Sequence, residues 1–322
     1  MKLEDSLARI VEDLSSSEMQ SIIQHIMEMV ELTPKWMLYS DYCLDDKTKP
    51  NDVITFVLVP FVSENQYKEL EQTIKKTQPE DLKHSQHVNS DFMDYIKHQP
   101  IFSFSFIVNN RQLLFGTDED EQKNAVMKIL ENLKSGFQKW RDNSPEGYSI
   151  DYYKEVIKKL KHQQNEVFNG KNIKHLIDIY LITFLGAFFT AEILKQLPKL
   201  EIFGWFPDRD KTNEACDQLA TPIFNAIQHD RLGASVYEFA AAAPDSTIVP
   251  FYDDLNRIAD VICGTLADYN IEHNKISADK FDEILQGLIA DNERIRVYRL
   301  KSDEEPLRFS IIHFFSKDKV TA

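Results

Sequence analysis

Cysteine is scarce in this chain of 322 residues: three, Cys43, Cys216 and Cys263, far apart and without a Cys-x-x-Cys spacing. That argues against a disulfide framework or a structural zinc site and fits a reducing cytoplasm. Glycine-rich phosphate loops are missing too. There is no Walker-type loop, GxGxxG or nucleophile elbow, so P-loop nucleotide hydrolysis and serine-hydrolase chemistry have no support. Positive charge is in deficit: 37 Lys and Arg against 52 Asp and Glu leave a net charge of −15. Such a surface does not adhere passively to nucleic acid or to an anionic membrane, so a polyanion would need a local basic groove. Acidic clusters that gather divalent cations stay compatible, because the ion cancels local charge.

Long apolar runs are lacking as well. The most membrane-like stretch, Ile179 to Ala191, is bounded by Asp178 and Glu192. It falls short of a bilayer's width and reads as a buried core helix, so no membrane partner is expected. The first residues carry Glu4, Asp5 and Glu12 among apolar ones, unlike a signal peptide. With 43 % apolar and 28 % charged residues, the chain can bury a substantial core and is not disordered.

Residues 2–31 read as two amphipathic helices, with Ser15 and Glu18 forming a capping box for the second. The run from Trp36 opens as an apolar strand, yet Asp41 sits inside it. Burying a lone carboxylate costs several kcal/mol. Asp41 therefore either opens a turn at the strand's end or points into a metal site. Val53 to Val62 reads as a central strand with Pro60 near its end, and Ile101 to Val108 as a third strand. Short helices are expected at 64–76 and 91–98, long charged helices at 120–141 and 149–164, and a core helix at 172–197. A fourth strand (200–206) runs into Pro207-Asp208-Arg209-Asp210. Then follow a helix (213–229), a fifth strand (234–241), a helix (251–269) and a last helix (278–291). Two final strands, 295–300 and 307–315, form a terminal hairpin.

This order predicts an α/β fold with a mixed sheet. Three strands form an antiparallel meander, and the core helix then carries the chain to a fourth strand parallel beside the first. The acids follow this geometry. Asp41 ends strand one, Asp208 and Asp210 end strand four, Asp178 lies early in the core helix, and Asp260 lies in an apolar part of the 251–269 helix. Carboxylates converging from separate elements repel one another unless cations compensate, and oxygen ligands select Mg²⁺ or Mn²⁺. Paired ions of that kind support phosphodiester hydrolysis. Each acid also has a plainer role. Asp253 and Asp254 suit the start of a helix, Asp210 suits a cap or a pair with Lys211, Asp178 suits the positive end of a helix dipole, and Asp260 suits an ion pair with Arg257.

The order and the acid placement resemble the ribonuclease H-like fold. Within it, the chain is similar to a bacterial domain group of unknown function. That group has Asp-Glu-Ser-Gly on strand one and a late Leu-Gln-hydrophobic-Ala-Asp helix. Tyr-Ser-Asp41-Tyr42-Cys43 keeps only the Asp of the first motif, with Tyr42 and Cys43 where Glu and Ser are usual. Asp254 to Gly264 matches the second, including Ala259-Asp260. Asp81-Leu82-Lys83-His84 is similar to a Glu-hydrophobic-Lys segment found before strand three. The likeness covers about residues 36–270. It implies a Mg²⁺- or Mn²⁺-dependent nuclease with Asp41, Asp208, Asp210 and Asp260 as metal ligands and Asp178 assisting. Lys83 or His84 would orient the scissile phosphate. The setting implied is cytoplasmic, in phage defence or a mobile element.

A nuclease needs a path for its polyanion. Lys154, Lys158, Lys159, Lys161, Lys171 and Lys174 make a basic island that leads to Asp178, either as a phosphate-tracking surface or as a solvated helix face. The expected organisation is a helix pair (1–33), a ribonuclease H-like core (34–116 and 171–272), a helical insertion (117–170) and a C-terminal helix and hairpin (273–322). The altered first motif supports an alternative: a non-catalytic interaction subunit that binds a second copy or a protein partner through the N-terminal helices, the insertion and the C-terminal hairpin.

Overall fold

The computed structural model describes Ser21, Gln24, His25 and residues 33–144, 150–197, 199–208, 211–233, 237–241, 252–301 and 308–320. The expected N-terminal helix pair (apart from those three residues), the turn at 145–149, the loop at 242–250 and Asp210 lie outside the described residues.

In chain order the main elements are β1 (Lys35–Cys43), β2 (Val53–Pro60), α1 (Glu64–Thr77), α2 (Ser90–His98), β3 (Phe102–Ile107), α3 (Glu119–Asn143), α4 (Ile150–Phe168) and α5 (Ile173–Leu194). They continue with β4 (Ile202–Pro207), α6 (Ala220–Leu232), β5 (Glu238–Ala241), α7 (Asp253–Asp268), α8 (Asp279–Ile284), β6 (Ile295–Lys301) and β7 (Arg308–Ile312). Local chemistry sets the boundaries. Ser63 caps α1 by accepting from the Gln66 N–H at 3.2 Å, and Asn89 caps α2 by accepting from the Asp91 N–H at 2.8 Å.

These strands make one seven-stranded mixed sheet among the described residues, in the order β5-β4-β1-β2-β3-β6-β7. Every residue of β2 is buried, as its central place requires. β1, β2 and β3 form the expected antiparallel meander. β4 lies parallel to β1 and β5 parallel to β4. The C-terminal pair joins the same sheet, β6 parallel to β3 and β7 antiparallel to β6.

The chain divides into two compact units. The sheet unit comprises all seven strands with α1, α2, α7 and α8. One face of its sheet forms an apolar core with those helices: Tyr39, Val57 and Phe206 meet Leu70, Phe92, Leu255, Ile258, Ile262 and Ile284. Side chains alternate along each strand, so Phe56, Phe104, Phe106 and Tyr298 fall on the other face. There they stack, at 5.3 Å for Phe56–Phe104 and 5.4 Å for Phe106–Tyr298.

The second unit is helical and holds α3, α4, α6 and most of α5. At 22 residues α5 is long enough to cross a bilayer, so length alone does not settle its role. Burial does: its most apolar window is 94 % buried within the protein, as a core helix requires. The helix expected over 213–229 is broken. Cys216, Asp217 and Gln218 take left-handed φ angles of 50°, 61° and 59°. Asp217 is anchored there, accepting from Gln163 Nε2 at 2.7 Å and lying 2.7 Å from His162 Nδ1.

Candidate carboxylate site

The rim at the C-terminal ends of β1 and β4 is built by parallel pairing. Ser40 is level with Pro207, and the Asp208 N–H donates to the Ser40 carbonyl at 2.8 Å. That register makes Asp41 and Asp208 neighbours across a strand spacing of about 4.8 Å. β1 runs on to Cys43, so Asp41 lies within the strand, opposite Thr55 of β2, and not at its end. Alternation places Asp41 on the face of Tyr39 and Cys43, which is the face packed by α7. The opposite face is closed by polar contacts: Trp205 Nε1 donates to Ser40 Oγ at 3.1 Å, and Ser40 Oγ lies 2.6 Å from the Tyr42 hydroxyl.

α7 crosses this face. The Tyr252 ring, just before its first turn, packs on Phe206 with centroids 5.2 Å apart, and Phe206 stacks on Tyr39 at 5.8 Å. Two turns later Asp260 reaches the segment between α1 and α2, where its Oδ2 accepts the Leu82 N–H at 2.7 Å. Burial pushes the Asp260 carboxyl above the usual carboxylate range. The Leu82 N–H and the Arg257 guanidinium pull it back, the charge of Asp208 pushes it up, and Lys83 pulls it down. One turn further on, Cys263 is fully buried and donates to the Val53 carbonyl at 3.7 Å. Burial raises its thiol far above the ordinary value, and the charge of Asp41 raises it further. Asp41 and Asp208 thus act electrostatically on successive turns of the same helix.

The segment carrying Leu82 is held against α7. Arg257 is ion-paired with Asp81, while Lys280 donates to the carbonyls of Leu82 at 2.7 Å and Ser85 at 2.8 Å. Gly264 lets the segment in, because a Cβ there would stand 2.6 Å from Leu82 Cδ2. Lys83 is exposed beside the rim, 3.5 Å from Asp81, and His84 is exposed as well.

The expected site residues therefore separate into two groups. Asp41, Asp208, Asp260 and Lys83 belong to the sheet unit, where the charges of Asp208 and Lys83 act on Asp260 and that of Asp41 acts on Cys263. Asp178 belongs to the helical unit, where a bidentate pair with the fully buried Arg111 compensates its charge, at 2.6 and 3.1 Å. The lysines of the island also belong to that unit. Lys154, Lys159 and Lys171 each lie within 3.5 Å of an acid of the same segment (Asp151, Glu155 and Glu166), while Lys158, Lys161 and Lys174 are exposed.

Comparison with protein families, curated proteins and solved structures gives no match. The chemistry is read from this chain alone.

Among the described residues no group of three His, Cys, Asp or Glu side chains is set to hold a metal ion. What the rim does show is oxygen chemistry of the kind a hard cation takes, with Asp208 beside Asp41 at the strand ends and its charge acting on Asp260. Sequence reasoning gave Arg257 to Asp260 as a plain ion pair, and it missed two residues. Arg257 pairs with Asp81 and, at 3.6 Å, with Asp253, while its charge acts on Asp260. The Leu82 N–H binds Asp260. Asn256, one turn before Asp260, is 3 % exposed and neither atom of its amide has a partner. Only Asn256 had a visible signal, its i, i+4 spacing to Asp260.

Proposed function

We propose that this chain is a Mg²⁺- or Mn²⁺-dependent nuclease on a ribonuclease H-like sheet. What supports the reading is that Asp41 lies beside Asp208 at the strand ends, with the charge of Asp208 acting on Asp260, in a sheet ordered β5-β4-β1-β2-β3 through its first five strands. Asp41, Asp208 and Asp260 would hold the cation. A divalent cation held by them would supply Lewis-acid chemistry for hydrolysis of a phosphodiester. Lys83 supplies a positive side chain at the same rim for a phosphate oxygen. The exposed lysines of the helical unit, Lys158 and Lys161 among them, would form a separate phosphate-binding surface. A setting in phage defence or a mobile element rests on the family resemblance alone.

The test is cleavage of single- and double-stranded DNA and RNA in Mg²⁺ or Mn²⁺ by the wild type, Asp41→Asn and Asp260→Asn. The reading requires both variants to fall to background. Residual activity equal to wild type in both would sink it.

A second reading has its own support. Arg257 already sets a guanidinium near Asp260, and Tyr42 and Cys43 replace two polar residues of the related motif. These suit a non-catalytic subunit in which the rim is internally neutralised. Calorimetry with Mn²⁺ separates the two: millimolar or tighter binding favours the nuclease, and its absence favours the subunit.

A further inference from the structure

We propose that His162 and Asp217 form a pH-operated latch that pins the strained turn at residues 216–218 to α4 and loosens it outside a defined window of pH. The latch lies within the helical unit and is independent of the nuclease reading. Left to itself the turn is unfavourable. Cys216, Asp217 and Gln218 take left-handed φ angles one after another, a region that residues with a side chain avoid. Helix lies on either side, at Lys211–Glu214 and in α6. One backbone bond closes the turn, from the Gln218 N–H to the Ala215 carbonyl at 2.9 Å. Such backbone persists where surrounding contacts over-determine it.

Those contacts converge on one carboxylate. Asp217 Oδ2 accepts from Gln163 Nε2 at 2.7 Å and lies 2.7 Å from His162 Nδ1. Gln163 is fixed in turn, its Oε1 accepting from Asn172 Nδ2 at 2.9 Å. The two anchors differ in character. Gln163 is buried and does not titrate, whereas His162 stands largely in solvent and does. The hydrogen bond to Asp217, and then the charge of Asp217, hold the His162 ring above the ordinary histidine value, with Glu166 adding and Lys171 opposing. Burial pushes Asp217 up, but Gln163, His162 and Lys159 together outweigh it and hold the carboxyl below the ordinary value. The Cys216 thiol beside them is pushed up to about 12, by burial and then by Asp217, so it stays neutral while the latch titrates.

These directions set the window. A raised histidine contributes fully below its unfolded pKa of 6.5 and loses that contribution as pH rises through the folded value. A lowered aspartate contributes fully above 3.8 and loses it as pH falls through the folded value. The latch is therefore firmest between pH 3.8 and pH 6.5 and loosens on both sides. In this way pH sets how tightly the run entering α6 is tied to the lysine-bearing helix α4.

Amide exchange at Gln218, corrected for its intrinsic rate, measures the latch in wild type, His162→Asn and Asp217→Asn. The first variant keeps a donor in the place of Nδ1 that does not titrate. The second keeps an acceptor for Gln163 and a residue that tolerates left-handed backbone, without the charge. In wild type, protection is greatest inside the window and falls about two- to five-fold as pH rises beyond it. His162→Asn loses that alkaline fall, and Asp217→Asn is low and flat across both limbs. His162 is exposed, so its variant folds and decides the matter alone if the other does not. Three results overturn the latch: a wild-type profile without the alkaline fall, a fall that persists in His162→Asn, or a fall shared by the buried Leu185 amide of α5, which marks general loosening.

Discussion

The Asp208 N–H donates to the carbonyl of Ser40, and this single bond aligns the chain leaving β4 with Asp41. It is the last link of a parallel ladder whose register runs from Lys35 opposite Ile202 to Ser40 opposite Pro207. Alternate residues of a parallel strand donate to the same neighbour, so Asp208 continues the series that Ile202 begins at the Pro34 carbonyl. The two acids are thereby set by backbone geometry, while α7 brings the third.

Protonation of Asp260 should govern the rim at acidic pH. Its folded-state pKa is raised, first by burial and further by Asp208. A raised acid makes the native state bind more protons than the unfolded one. Stability then falls as pH rises from the unfolded value of 3.8 through the folded value, and Mn²⁺ binding grows over the same window. Replacing Asp208 by Asn removes a like charge and should move that window to lower pH. The pH dependence of Mn²⁺ affinity in the two proteins checks this, and an unshifted profile contradicts it.

Asp268 should behave in the opposite sense. Burial pushes its carboxyl up, but the hydrogen bonds from Lys49 and Ser277 together outweigh that and hold it below the ordinary value. Its stabilisation is complete above the unfolded pKa of 3.8 and is lost as pH falls through the folded one. Lys49 lies 2.7 Å away and over the Phe281 ring, with little of either charged group exposed. Asp268→Ala strands that ammonium and should cost about 3–5 kcal/mol in urea unfolding, and Lys49→Met/Asp268→Leu should recover much of it.

Asp178 gives a counter-case to the rim. Asp178→Asn breaks the buried pair with Arg111 and should destabilise the protein by about 3–5 kcal/mol. Below its melting temperature the Mn²⁺ affinity should stay within two-fold of wild type, on the order of 0.4 kcal/mol. A ten-fold loss in the folded variant would return Asp178 to the ion.

Much of this architecture could be read from residue types. β2 is apolar but for Thr55, α5 is mostly apolar, and turn residues punctuate the chain, so the elements were expected within a few positions. The order of elements along the chain likewise foretold that the fourth strand would lie parallel beside the first. Pairings over long separations could not be read in the same way. Arg111 and Asp178 are 67 residues apart, and Leu82 and Asp260 are 178 apart. Nothing local to either partner distinguishes a surface charge from half of a buried pair. The break at Cys216–Gln218 was hidden for another reason. Left-handed backbone there is held by Asp217 binding α4, a tertiary anchor that overrides the helical pattern.

Gly264 tests how closely the 81–84 segment must approach α7. Gly264→Ala puts a methyl 2.6 Å from Leu82 Cδ2, and Leu82 is itself buried. Overpacking of that kind should cost about 1–3 kcal/mol and weaken the Leu82–Asp260 bond. Faster amide exchange at Leu82 is the expected readout, and unchanged exchange would show that the segment is held by Lys280 and Asp81 alone.

The bond from Trp205 to Ser40 gives the protein a built-in optical gauge. Of its three indoles, Trp36 and Trp205 are sealed from water, and Trp205 alone is tied to the residue just before Asp41. Its emission should be blue-shifted at rest and should respond when an ion tugs on the neighbouring acid. A fluorimeter could then follow occupancy in real time, without label or substrate.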